Sequence, residues 1–168
     1  MGNTSAYLRL PHEGEALSGR LTFKATSTET AGQLTVAEHR MAQGQGARFV
    51  HLHRDCDEAW WVLEGEVAYW LGDQTVLASA GSFVFVPSGA AHCYWNPHPA
   101  PARVMMEWLP GGIEEFFREI RQVVETGITD PAIRGSVWEK YHAELQRNPD
   151  GSLITIDQLP LPYGPSPV

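Results

Sequence analysis

Between residues 20 and 109 apolar and polar positions alternate in short runs, most of them closed by glycine, proline, asparagine or aspartate. A period of two with this punctuation marks half-buried strands, because successive side chains on a strand face opposite ways. Leu21 and Phe23, then Leu34 and Val36, predict two lead-in strands with a turn near Thr30 to Gly32. Arg48–His53, Glu58–Leu63, Val67–Leu71, Thr75–Ala78, Ser82–Val86, His92–Trp95 and Arg103–Leu109 continue the series. Short strands at even spacing predict an all-β antiparallel jelly roll or barrel.

After Pro110-Gly111-Gly112 the period lengthens. Ile113, Phe116, Phe117, Ile120, Val123 and Val124 recur at intervals of three and four, the mark of one helix face, and Gly127 ends the run. A second helix is expected from a cap at Thr129 or Asp130, with Pro131 in its first turn, to about Gln146. Its apolar line is Ile133, Val137, Tyr141 and Leu145. The remainder is rich in proline and reads as extended or partly disordered, with Ser152–Ile156 as a candidate edge strand. The chain thus divides into a lead-in (1–19), a barrel (20–109), two C-terminal α-helices (110–147) and a Pro-rich tail (148–168).

The 168 residues suffice for one domain with a substantial core. Twenty acidic against twelve basic residues argue against nucleic acid or an anionic membrane surface as partner. No stretch has membrane-spanning length, and residues 1–19 lack the apolar run of a signal peptide, so a cytoplasmic location is expected. In that compartment Cys56 and Cys93 are expected as free, small apolar residues, with Cys93 facing away from its neighbour His92.

The chemistry concentrates in two of the strands. His51 and His53 share a strand face, Glu58 follows five residues later, and His92 returns in a second apolar run. Three imidazoles and a carboxylate suit one divalent metal ion: iron, manganese, nickel, cobalt or zinc. Four protein ligands leave positions open on an octahedral ion, the condition for catalysis. Alternation places Phe49, Trp60, Val62, Tyr94 and Asn96 on the ligands' faces, and Phe83, Phe85, Met106 and Trp108 are added as candidate pocket residues. Such a wall suits an apolar or aromatic small molecule that carries one or two oxygens. Glu58 is the candidate general base and Tyr94 the alternative proton carrier. Trp61, Leu63, Trp70 and Trp95 fall on other faces, and covering them predicts a homodimer.

The frames around these residues resemble the two signature motifs of the cupin superfamily. The first is His51-x-His53, Glu58, then six residues to Gly65; the second is Gly81, five residues, Pro87-x-Gly89, His92, then three residues to Asn96. One position differs: the glycine usual six residues before the first histidine is Gln45 here, flanked by Gly44 and Gly46. The resemblance implies a double-stranded β-helix with a single motif pair and a metal on the four residues named. The segment Leu109–Phe117 is further similar to the single-domain quercetin dioxygenase-like cupins of bacteria. That likeness implies an oxygenase, using dioxygen to act on an aromatic or enol-containing small molecule. The same subfamily includes redox-neutral cyclases, isomerases and lyases of natural-product biosynthesis, the alternative reading. A non-enzymatic binding module comes third, because the chain lacks a helix-turn-helix segment.

Overall fold

Alternation becomes two facing antiparallel sheets in the computed structural model, which describes residues 5–17 and 20–160. Parts of the expected lead-in (1–4, 18–19) and the last eight residues of the Pro-rich tail (161–168) lie outside the described residues. The strands are β1 (Glu15–Ala16), β2 (Leu21–Ala25), β3 (Thr35–Met41), β4 (Gly46–His53), β5 (Asp57–Glu64) and β6 (Glu66–Leu71). They continue with β7 (Gln74–Ser79), β8 (Phe83–Val86), β9 (His92–Trp95), β10 (Ala102–Leu109) and, after helices α1 (Ile113–Glu125) and α2 (Pro131–Lys140), β11 (Ala143–Leu145). One sheet runs β1-β2-β3-β10-β5-β8 and the other β11-β4-β9-β6-β7, the crossed order of a jelly roll.

Burial follows the strand period. On β10 the inward residues Ala102, Val104, Met106 and Trp108 are buried while their neighbours are only half-buried. Beside them in the same sheet Phe23, Met41, Trp60 and Val62, and Tyr69 from the facing sheet, build the core between the sheets. Gly46 serves a close approach: a Cβ there would stand 2.2 Å from the Tyr94 carbonyl oxygen, at a φ of 139°. A side chain at this position would push β4 away from β9.

The second helix is shorter than expected. Asp130 caps it, accepting from the Ala132 N–H at 2.8 Å, but it ends at Lys140. His142 takes a φ of 54°, which breaks the helix, and Ala143–Leu145 instead pair with β4, Ala143 opposite His53 and Leu145 opposite His51. The unpaired edge of β4 offers Leu145 a better place than a last helical turn, because every bare strand edge leaves backbone groups to satisfy. Ile133, expected on the buried line of this helix, is exposed. The candidate edge strand at Ser152–Ile156 forms only isolated bridges, Arg147 with Leu153 and Phe49 with Thr155, before a 3-10 turn at Ile156–Gln158.

That returning segment covers the outer face of the five-stranded sheet. Val50, Ala68, Cys93 and Trp95 form a second core there, closed by Trp70, Ile154, Ile156 and Leu159. Trp70 and Trp95, expected to need a second subunit, are therefore covered by the chain's own C-terminal residues. Cys93 lies in this outer core, on the face of β9 opposite to His92.

Helix α1 is fastened by a buried carboxylate. Glu114 accepts hydrogen bonds from Ser27 N–H at 2.6 Å, from the Ser27 and Thr35 hydroxyls at 2.5 Å each, and from Gly112 N–H at 3.2 Å. These bonds tie the start of the helix to the β2–β3 connection and lay Phe116 over the open end of the barrel.

Candidate metal centre

Register brings the four chemical residues together. His51 and His53 sit on one face of β4, His92 pairs directly with His51 on β9, and Glu58 reaches in from β5 of the other sheet. One ligand atom from each of the four lies within 4.8 Å of the others, and all four side chains are buried. Glu58 Oε1 stands 2.9 Å from His53 Nε2 and 3.5 Å from His92 Nε2. Ligands about 2.1 Å from one ion lie roughly 3 to 4.2 Å apart, so a small contraction closes this set around a divalent cation.

The hydrogen bonds behind the imidazoles favour the same use. His51 Nδ1 donates to the Phe49 carbonyl and His92 Nδ1 to the Ala90 carbonyl, each at 3.0 Å. Each bond fixes the tautomer that leaves Nε2 with a free lone pair turned into the cluster. Glu58 Oε1, His92 Nε2 and His53 Nδ1 are buried without a well-formed hydrogen bond. Orphaned polar atoms at such depth cost stability unless a further group satisfies them, and a cation does that for the first two. The residues fit a divalent metal.

Electrostatics separate the histidines. Burial, with repulsion from His92 and His53, pushes His51 down to about 3, so it stays neutral and ready to ligate. His92 is held above its ordinary value: burial opposes this, but its contact with the Glu58 carboxylate outweighs burial. Burial would raise Glu58, yet the His53 and His92 imidazoles beside it hold it well below the usual carboxylate range.

Over the cluster opens a cavity of about 460 Å³, within the range of small-molecule sites. His51, His53 and Glu58 form part of its wall, with Tyr94, Met106, Trp108 and Phe49, and the helices contribute Phe116, Phe117, Ile120 and Trp138. The Trp138 ring lies 5.4 Å from that of His51. Arg48 and Arg121 also line the cavity, each tied to an acidic neighbour, Asp157 at 3.5 Å and Glu125 at 2.6 Å.

Several expected pocket residues stand elsewhere. Phe83 and Phe85 are 51% and 52% exposed on the outside of β8, beside Trp61. They alternate with the buried Val84 and Val86, so the aromatic set points out and the valines point in. Asn96 does not line the cavity; its amide nitrogen donates to the Met41 and Ala100 carbonyls and its oxygen accepts from His98 N–H, closing the loop after β9. Trp60 and Val62 point inward but are sealed in the core, the Trp60 ring 5.5 Å from that of His92.

The cavity wall also takes residues that were not expected there, Phe116, Phe117, Ile120 and Trp138 from the helices and the polar His39. His39 projects from β3 in phase with the buried Ala37 and Met41, and its Nδ1 lies 3.3 Å from the Tyr94 hydroxyl. Burial pushes it down to about 4. Its phase with Ala37 and Met41 turns it inward, but between Glu38 and Arg40 nothing local separates it from a surface histidine.

Residues 37–108 match the family model described as Cupin domain. The barrel has the jelly-roll fold of the cupins. Among solved structures, the chain resembles KdgF from Halomonas sp., with a TM-score of 0.53 and 16% identity over 67% of this chain and 99% of that one. A predicted oxalate decarboxylase from Thermotoga maritima gives a TM-score of 0.51 and 18% identity, over 54% and 78% of the two chains. At such identities the likeness is one of fold. In sequence, the chain is 29% identical over 102 residues to mannose-1-phosphate guanylyltransferase 2 of Escherichia coli O157:H7. The match takes in 58% of this chain but only 21% of that protein. Among the described residues no helix is long and apolar enough to cross a membrane.

Proposed function

We propose that this cupin is a metal-dependent oxygenase of the dioxygenase type, acting on an oxygenated aromatic or enol-bearing small molecule of a natural-product kind. The observation that carries the proposal is the buried His51-His53-Glu58-His92 set in the wall of a mostly apolar and aromatic cavity. The Escherichia coli relative is matched over only 21% of its own length, so the activity in its name is not carried over.

When bound, a divalent ion supplies Lewis acidity and, if redox-active, one-electron chemistry with dioxygen. The chain's own residues do the rest. The Phe49 and Ala90 carbonyls hold the His51 and His92 rings in place. Trp138, Phe116 and Phe117 exclude water from above. Glu58, in the cavity wall, would take the proton of an enol or phenol hydroxyl through the carboxylate oxygen that the ion leaves free. Burial holds the Tyr94 phenol above its ordinary value, which suits it to hydrogen bonding better than to proton removal.

A redox-neutral cyclase, isomerase or lyase is the second reading, favoured by the His39–Tyr94 pair inside the same cavity. Untagged protein, assayed for metal and then for oxygen uptake on a panel of flavonols and catechols, separates the readings. Stoichiometric oxygen consumption supports the oxygenase, and turnover without oxygen uptake moves the second reading ahead. Protein that holds no divalent metal under any loading condition overturns both.

We also propose a homodimer in which a second copy covers the outer aromatics Trp61, Phe83 and Phe85. Strand β8 ends its sheet, so its free edge and apolar face are available together.

A further inference from the structure

We propose that His39 and Tyr94 form a second polar subsite, which receives a neutral oxygen of the ligand at the far end of the cavity from the His-Glu cluster. This rests on the reading of that cluster as a metal centre binding the ligand's first oxygen. Tyr94 follows His92 by two residues on β9 and shares its inward face. With a rise of about 3.3 Å per residue, the two side chains leave the strand roughly 6 to 7 Å apart. A planar aromatic that binds the cluster through one edge thus brings its opposite edge to Tyr94.

The pair has hydrogen-bonding capacity to spare. Among the described residues the Tyr94 hydroxyl meets only His39 Nδ1 at 3.3 Å and Met106 Sδ at 3.6 Å. The first contact is long and the second acceptor weak. Among the described residues His39 Nε2 makes no hydrogen bond, although the ring lines the cavity. If Tyr94 donates to Nδ1, Nε2–H is a donor; with the other tautomer Nε2 accepts. Around the pair the wall is apolar, with Met106, Trp108 and Leu21. A buried polar pair in such a wall discriminates by what it loses when unmatched. His39 is neutral near pH 7, so the pair suits a hydroxyl, carbonyl or ether better than a carboxylate. The ligand class is an aromatic with a metal-binding oxygen at one end and a neutral oxygen function at the other.

The test uses the full chain loaded with cobalt(II) under anaerobic conditions, with 4-methylcatechol and 4-(hydroxymethyl)catechol as probes. The two differ by one hydroxyl, which serves either tautomer of His39. Calorimetry gives the affinities, and the visible cobalt spectrum reports binding at the metal. Wild-type protein should prefer the hydroxymethyl probe by about fivefold, the worth of one neutral hydrogen bond. In His39→Leu and Tyr94→Phe the preference should fall below about twofold, with 4-methylcatechol affinity little changed. Tyr94→Phe removes a single oxygen and keeps the ring packing, so it remains informative if His39→Leu folds poorly. A wild-type preference below twofold, or one that survives either substitution in folded protein, overturns the subsite and leaves the metal reading standing. If neither catechol alters the cobalt spectrum, the metal reading falls and the subsite with it.

Discussion

Replacing Glu114 with alanine should loosen the helical cap while leaving the barrel intact. The carboxylate is fully buried and accepts four hydrogen bonds, from Ser27 N–H, the Ser27 hydroxyl, the Thr35 hydroxyl and Gly112 N–H. Hydrogen bonds to a charged group contribute about 1.5–3 kcal/mol each, and releasing the buried charge returns several kcal/mol of desolvation. The Thr35 hydroxyl still reaches Gly112 N–H at 3.0 Å, so the main stranded donor is Ser27 N–H. The net loss should be about 3 kcal/mol, or roughly 6–12 °C in Tm for a chain of this length. Calorimetric melting measures it, and limited proteolysis should cut first near α1. The pH dependence has a defined sign. Burial opposes ionisation of Glu114, but its hydrogen bonds to Ser27 and Thr35 outweigh that and depress its pKa. Its stabilisation is therefore present above the ordinary carboxylate value and lost as the pH falls through the folded one. A Glu114→Ala loss below about 1 kcal/mol, with the wild-type acid dependence retained, would refute the anchor.

Other predictions address the centre and the outer face. A His51→Ala/His92→Ala variant should lose its divalent metal and the thermal stabilisation that added metal gives wild-type protein; stoichiometric metal by elemental analysis would count against the ligand set. Glu58→Gln keeps one oxygen for the ion but takes up no proton near neutral pH, so most metal should remain while turnover drops at least about a hundredfold. Near-normal turnover would leave Glu58 as a ligand alone. Phe85→Glu should convert a dimer to a monomer in sedimentation velocity; wild-type protein that is already monomeric at micromolar concentration would dispose of the dimer.

The barrel strands and the four clustered residues were legible because both rest on short-range rules. Strand parity puts His51 and His53 on one face, and the Gly81–Asn96 frame places His92 at the start of its strand. Parity failed to resolve Phe83 and Phe85, because an exposed edge strand carries large apolar residues on either face. Leu145 looked helical by spacing, yet the bare edge of β4 decided its place. His39 was overlooked because nothing local distinguishes a cavity histidine from a surface one; Tyr94 stands beside it only once β3 and β9 face each other across the barrel.

Strand β11 has a mechanical consequence. Only Tyr141 and His142 separate it from α2, so the helix that lays Trp138 against His51 is stitched, two residues later, to the backbone of His53 and His51. Prying α2 outward pulls on the same strand that presents those imidazoles. Helix α1 is pinned to α2 in turn, the Phe116 ring 4.9 Å from that of Trp138 and the Glu119 carboxylate accepting from Lys140 and the Tyr141 hydroxyl.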